Sequence, residues 1–169
     1  MNLIQMLWRF LFCLALSVTA GAQTAQNVAQ ILGFENGSGG TFPAGWSGSA
    51  NSTILTDCQV SHSGNCSARI ARTTSSSADF SYLQVSLPMS FAGQTLAWNG
   101  WVKTQGVNGY AAIYFGEYDS YGNSLGFATT QWLAVGGTTD WTAYSVTLPV
   151  YSQAASVRIG ALLYGTGTA

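Results

Sequence analysis

The chain has 169 residues, of which 47% are hydrophobic and 13% aromatic but only 7% charged, and its formal net charge is −1. Five basic residues cannot form the positive surface that captures nucleic acid. The high hydrophobicity and low net charge exclude polar disorder, and the length accommodates one domain with a sizeable core. The polar surface must therefore consist mostly of uncharged side chains.

The first 22 residues have the organisation of a secretory signal peptide. Arg9 precedes the apolar run Phe10–Val18, and the small residues Ala20 and Ala22 predict cleavage before Gln23. A transmembrane anchor is the weaker alternative, because the run falls short of the roughly 20 residues that span a bilayer. We expect a secreted or periplasmic protein without a membrane span after cleavage. Loss of Arg9 leaves four basic and six acidic residues, a net charge of −2.

Export places the remaining cysteines in an oxidising compartment. Cys13 lies in the predicted signal peptide, which leaves Cys58 and Cys66 as a pair. We predict a disulfide between them, which closes a short loop. By lowering the entropy of the unfolded chain, it stabilises the folded protein by about 2.5 kcal/mol. A metal or redox role is disfavoured, because the spacing is not C-x-x-C and the one histidine, His62, cannot complete a zinc site.

After a linker at residues 23–30, short runs rich in Val, Ile, Thr, Tyr and Trp alternate with turn residues. Nine strands are predicted in chain order: Gln30–Glu35, Ser52–Cys58, Ser67–Thr73, Phe80–Leu87, Thr95–Thr104, Tyr110–Asp119, Leu125–Ala134, Thr142–Pro149 and Ser156–Tyr164. Strands recurring at such short intervals indicate an all-β, antiparallel β-sandwich of the jelly-roll type over residues 31–169.

Alternation along three of these strands predicts a second face that carries aromatic rings beside polar groups. Sugar sites need flat rings that stack on a pyranose and polar groups that reach its hydroxyls. The alternative, in which these aromatic residues pack between the sheets, remains open. The candidate ligand-binding residues are Asn99, Trp101, Lys103, Tyr110, Tyr114, Tyr118, Arg158 and Tyr164.

A series of short motifs resembles bacterial carbohydrate-binding-module-like β-sandwiches of the galactose-binding-like jelly-roll type. The motifs, in order, are Leu32-Gly-Phe-Glu35, Gly45-Trp46, Ser61-His-Ser-Gly64, Cys66-Ser-Ala-Arg69, Asn99-Gly-Trp-Val-Lys-Thr104, Gly137-Thr-Thr-Asp-Trp141 and Val157-Arg-Ile-Gly160. The resemblance covers about residues 31–169. It implies an accessory module that binds carbohydrate as its partner and is covalently linked to a catalytic domain in a longer secreted protein.

Similar domains are also found at the N-terminus of secreted serine peptidases and esterases. The resemblance therefore leaves a second role open, a structural or protein-interaction domain without a sugar site. A linked glycosidase would favour the first role, and a linked serine-peptidase domain would favour the second.

The resemblance further implies a last strand and a calcium site. The family continues past a Gly-x-Gly-Thr stretch into one more strand with an acidic pair, whereas this sequence stops at Gly165-Thr-Gly-Thr-Ala169. We therefore expect a jelly roll that lacks its last strand. Glu35 matches the position of an acidic ligand for a structural calcium, but its partner carboxylate in the family belongs to that last strand.

The sequence offers little for catalysis within this chain. His62 lies in the predicted disulfide loop, and no G-x-S-x-G nucleophile motif is present. Glu117 and Asp119 are two residues apart on one predicted strand face, which is more typical of a solvated strand end than of an acid–base pair. We expect a non-catalytic module.

Overall fold

The computed structural model describes residues 29–74, 80–87 and 91–169, and it is almost entirely antiparallel β-structure. The predicted signal peptide at residues 1–22 and most of the predicted linker lie outside the described residues. No helix within the described part is long and apolar enough to cross a bilayer. The strands are β1 (Ser47–Gly48), β2 (Thr53–Asp57), β3 (Ser67–Arg72), β4 (Phe80–Leu87), β5 (Thr95–Tyr118), β6 (Ser124–Thr129), β7 (Val135–Pro149) and β8 (Ser156–Thr168), with a 3₁₀ turn at Gln131–Leu133.

Two long strands, β5 and β8, are shared by both layers of the sandwich. β8 pairs with β5 on one edge, and on its other edge with β4 along most of its length and with β3 at its tip. β5 pairs with β7 along its first part and with β6 along its last. The front layer has the order β2, β3, tip of β8, β5, β7, and the back layer has the order β1, β4, β8, β5, β6. This curled antiparallel sheet confirms the predicted all-β sandwich.

The core lies between the two layers and follows the predicted alternation. Phe115 on β5, Leu83 on β4, and Ile159 and Leu163 on β8 are almost fully buried. Trp98 packs against this cluster, and its indole N–H donates to the Gly160 carbonyl oxygen (3.3 Å). These side chains fix β8 between β4 and β5 and so position its outward-facing residues.

The predicted strands Thr95–Thr104 and Tyr110–Asp119 are one continuous strand, β5. The segment between them is not a hairpin turn, because register shifts between residues 102 and 111 absorb it as bulges, with positive φ at Gly106 (59°) and Gly109 (137°). Val102 faces the core before the bulges and Ala111 after them. The core-facing parity therefore changes from even to odd within β5, which sends its two halves into different layers.

The predicted first strand, Gln30–Glu35, is wrong. Residues 29–32 form a helical turn, and Phe34 follows with φ of 61°. Trp46 explains the departure, because its indole N–H donates to the Ile31 carbonyl oxygen (2.9 Å) and its ring lies 4.9 Å from that of Phe34. These tertiary contacts outweigh the local β propensity. The predicted strand Leu125–Ala134 likewise ends early, at Thr129, where the 3₁₀ turn follows.

Candidate functional site

The disulfide loop is closed as predicted, and the Glu35 side chain is hydrogen-bonded to it. Cys58 and Cys66 form the disulfide. The Glu35 carboxylate accepts hydrogen bonds from the backbone N–H groups of Asn65 (3.0 Å) and Cys66 (3.3 Å) and from the Asn65 side-chain amide (3.2 Å). Its oxygens thus face N–H donors. Within the described residues no group of three or more His, Cys, Asp or Glu side chains could hold a metal ion. A carboxylate whose oxygens are directed at N–H groups does not fit a calcium site, and we assign no calcium ion to Glu35.

The loop contact of Glu35 predicts a dependence of stability on pH. Hydrogen bonds from the Asn65 and Cys66 backbone hold the pKa of the Glu35 carboxyl below its usual value. A lowered folded-state pKa stabilises the protein above the unfolded pKa of about 4.3, and this contribution is lost as the pH falls through the folded value. Thermal unfolding between pH 3 and 7 should therefore show a larger loss of Tm on acidification in the wild type than in Glu35→Gln. Equal losses in the two proteins would contradict this assignment.

Five of the eight residues predicted for the second face lie on the outside of the back layer. In the pairing of β5 with β8, Tyr110 is opposite Tyr164 and Tyr114 is opposite Gly160. The Tyr110 and Tyr164 rings stack with centroids 5.2 Å apart. We call this surface the tyrosine face; its members are Phe80, Tyr82, Gln84, Tyr110, Tyr114, Tyr118, Phe127, Arg158 and Tyr164.

Tyr114 forms the floor of the tyrosine face. Its ring lies across β8 at Gly160, and its hydroxyl donates to the Gln84 side-chain oxygen on β4 (2.8 Å). Burial raises the pKa of the Tyr114 hydroxyl, so this group stays protonated and remains a donor at physiological pH. Phe127 on β6 packs beside it, with ring centroids 5.7 Å apart. The floor is therefore held rigidly by β4, β5 and β6.

The rim of the tyrosine face is exposed to solvent. Tyr164 is 40% exposed and Phe127 is 54% exposed. Tyr164 lies opposite Tyr110 on β5, whereas Phe127 lies opposite Gly116, further along the same strand. The Arg158 guanidinium lies 4.4 Å from the centre of the Tyr118 ring, in a cation–π contact. The surface thus offers exposed ring faces, one cationic group and uncharged polar groups, without a carboxylate among its members.

The other three predicted site residues lie elsewhere. Asn99, Trp101 and Lys103 occupy the first half of β5, paired with β7 on the outside of the front layer. Trp101, half exposed, stacks on His62 of the disulfide loop (centroids 3.9 Å apart). Lys103 donates to Asp140 (2.9 Å). The structure therefore divides the eight predicted residues into a group of five on the tyrosine face and a group of three around Trp101.

The residues that sequence reasoning missed are Phe80, Tyr82 and Gln84 on β4 and Phe127 on β6. The signal in β4 is its alternation, since Leu83 and Val85 face the core and the intervening residues face outward.

The two carboxylates weighed for catalysis do not form a pair. Glu117 is fully buried rather than at a solvated strand end, and one of its oxygens accepts from the Tyr151 backbone N–H (2.9 Å). Asp119 instead lies in the β5–β6 turn, where it accepts from the backbone N–H groups of Tyr121 and Asn123 (2.8 Å each). Each carboxylate serves local structure, and the two are not arranged around a common site.

Comparison with known proteins gives matches in structure but not in sequence. No protein-family model matches the chain, and no curated protein sequence matches it significantly. The C-terminal family 22 carbohydrate-binding module of Clostridium thermocellum Xyn10B is similar in structure, with a TM-score of 0.52 and 14% identity over 80% of this chain and 84% of that one. The xylan-binding domain of Paenibacillus barcinonensis Xyn10C gives a TM-score of 0.53 and 17% identity over 80% and 89%.

A catalytic protein also contains a similar region. The enzymatically active domain of bacteriophage CBA120 tailspike protein 4 gives a TM-score of 0.56 and 11% identity over 74% of this chain, which spans only 18% of the tailspike chain. At such identities these likenesses show the fold alone. The chain has the jelly-roll fold of carbohydrate-binding modules, as the motif resemblance implies.

Proposed function

We propose that this chain is an exported, non-catalytic accessory module that binds carbohydrate on the tyrosine face. The observation that carries the proposal is the stacked pair Tyr110 and Tyr164, which presents partly exposed rings beside polar groups on a rigid sheet. Aromatic rings of this kind stack on the apolar face of a pyranose, and preformed sites bind without a large ordering cost.

The composition of the face supports a neutral ligand. Its polar groups are tyrosine hydroxyls, the Gln84 amide and the Arg158 guanidinium, all of which can hydrogen-bond to sugar hydroxyls. No carboxylate among the members of the face repels an anionic group or chelates a cation. Uncharged polar groups beside aromatic rings suit an uncharged glycan. The similarity to xylan-binding modules makes xylan the first polysaccharide to test.

Binding is tested by retention on insoluble xylan and cellulose, together with a soluble glycan array. We expect retention on at least one polysaccharide, and we expect Trp101→Ala to bind as the wild type does, because Trp101 lies on the other layer. Absence of binding to every glycan by a folded protein would overturn the proposal and favour the structural or protein-interaction role. Loss of binding in a folded Trp101→Ala variant would instead move the site to the front layer.

A further inference from the structure

The segment between β6 and β7 covers part of the outward-facing surface of β5. Ala112 lies between Tyr110 and Tyr114 and points outward with them, yet its exposed fraction is 0%. With Tyr114 and Leu162 it forms an apolar cluster on the outside of the sheet, separate from the sandwich core. Ala134, which follows the 3₁₀ turn, packs against this cluster. The chain therefore folds over the edge of the tyrosine face at this point.

Backbone pairing fixes where the 3₁₀ turn lies along β5. Just before the turn, the Thr130 N–H donates to the Ile113 carbonyl oxygen (3.0 Å), and the Thr130 hydroxyl accepts from the Ile113 N–H (3.1 Å). Just after the turn, Val135 pairs with Ala111. The turn is therefore beside Ala112, where the neighbour of β5 changes from β6 to β7.

Hydrogen bonds also hold the 3₁₀ turn in one conformation. The Leu133 N–H donates to the Thr130 carbonyl oxygen (2.8 Å), and the Gln131 N–H donates to the Thr129 hydroxyl (3.3 Å). The Leu133 carbonyl oxygen accepts from the hydroxyl of Tyr144, a core residue (3.1 Å). A turn tied to the core in this way is preformed, so a ligand that touches it incurs little cost in ordering the chain.

The anchored turn carries an exposed tryptophan. Trp132 is 87% exposed, more than any other tryptophan among the described residues, whereas Thr130 before it is buried. Scattered exposed apolar side chains are normal on soluble proteins, so exposure alone does not mark a site. The position of Trp132 does, because its turn rises beside the tyrosine face, on the same edge as the exposed ring of Phe127.

We propose that Trp132 is a further ligand-binding residue, which forms a side wall of the tyrosine face and contacts a glycan lying on Tyr110 and Tyr164. This proposal rests on the proposed function, since the ligand is the one bound by that face. Ala112 is the next outward-facing residue after Tyr110, about 7 Å along β5, and the turn is one strand spacing of about 5 Å beyond it. These distances are within the reach of an indole side chain. Tyr110 and Tyr164 supply the floor, and Trp132 supplies an apolar surface at the side of the ligand.

The first test compares the glycan affinity of three variants with that of the wild type. Trp132→Ala should bind about tenfold more weakly, and Trp132→Phe, which keeps a ring, should stay within about threefold. Leu133→Ala is the matched control, because Leu133 is in the same turn and is 73% exposed but has no ring. Its affinity should stay within about twofold of the wild type. The Tm of all three should match the wild type, since both side chains are exposed.

The second test measures tryptophan fluorescence during a titration with the same glycan. In the wild type, covering Trp132 should shift the emission to shorter wavelength and reduce quenching by acrylamide. Trp132→Phe should bind but lose both responses. Trp101, which is 50% exposed, lies on the front layer and so should not respond to a glycan on the tyrosine face.

The outcomes separate this proposal from the proposed function. Wild-type affinity in a folded Trp132→Ala variant, an equal loss in Leu133→Ala, or an unchanged fluorescence response in Trp132→Phe would overturn the role of Trp132. The carbohydrate proposal would survive each of these results if replacement of Tyr110 and Tyr164 still weakens binding. Absence of binding to every glycan by the folded wild type would overturn both proposals.

Discussion

Replacement of Gly160 by alanine is expected to lower the free energy of unfolding by about 3 kcal/mol, at the upper end of the range for overpacked interiors. A Cβ atom at this position would overlap the Leu83 carbonyl oxygen and would lie 2.9 Å from the Tyr114 ring. The carbonyl belongs to β4, which pairs with β8 over eight residue pairs, so it cannot move without disturbing the ladder. The Tyr114 ring cannot move without breaking the hydrogen bond from its hydroxyl to the Gln84 side chain.

The matched control for this change is Gly100→Ala. Gly100 is also in a strand, but a Cβ atom there would make only ordinary contacts, 3.8 Å from Ile113 and 3.9 Å from Trp98. Urea denaturation of the two variants and the wild type measures the difference. A Gly160→Ala protein as stable as Gly100→Ala would show that Tyr114 does not cross β8 closely at this point.

The double replacement Tyr110→Ala and Tyr164→Ala should reduce glycan affinity by about 100-fold, which corresponds to about 2.7 kcal/mol. These rings form the stacked pair in the proposed site, and each supports the other in one orientation. Their removal leaves the core intact, since Ala111 and Leu163 beside them face the other side of the sheet. Titration calorimetry with the polysaccharide fragment retained in the binding screen measures the loss.

Tyr121→Ala is the matched control for the double variant. Tyr121 is 89% exposed and lies in the β5–β6 turn, outside the tyrosine face. Its removal tests whether loss of any exposed tyrosine weakens binding. An equal loss of affinity in Tyr121→Ala, or full affinity in a folded double variant, would exclude the Tyr110 and Tyr164 pair as the binding platform.

The sequence predicts the sheet well because strand alternation is a local signal. The β4 segment Phe80–Leu87 is predicted at both ends, and Val157, Ile159 and Leu163 are buried as their spacing indicates. The Cys58–Cys66 disulfide follows from counting cysteines after the predicted signal peptide. Each of these features depends on residues close together in the chain or on the compartment alone.

The division of the candidate site could not be predicted, because it depends on bulges in the middle of β5. Alternation places Trp101 and Tyr110 on outward faces, and both do face outward. Where each face points is decided between residues 102 and 111, by register shifts against β7 and β8. Such pairing is a long-range property, as is the contact of His62 with Trp101. The local pattern therefore gives the faces but not their arrangement.

The measurement that tests the central proposal most directly is amide chemical-shift mapping during a titration with xylohexaose, extended to the glycans that bind on the array. Binding on the tyrosine face predicts shifts concentrated on the second half of β5, on β8 and on the adjoining part of β4, with Tyr110, Gly160 and Tyr164 among the largest. Shifts centred on Trp101 and His62, or no shifts with any glycan, would contradict the proposal.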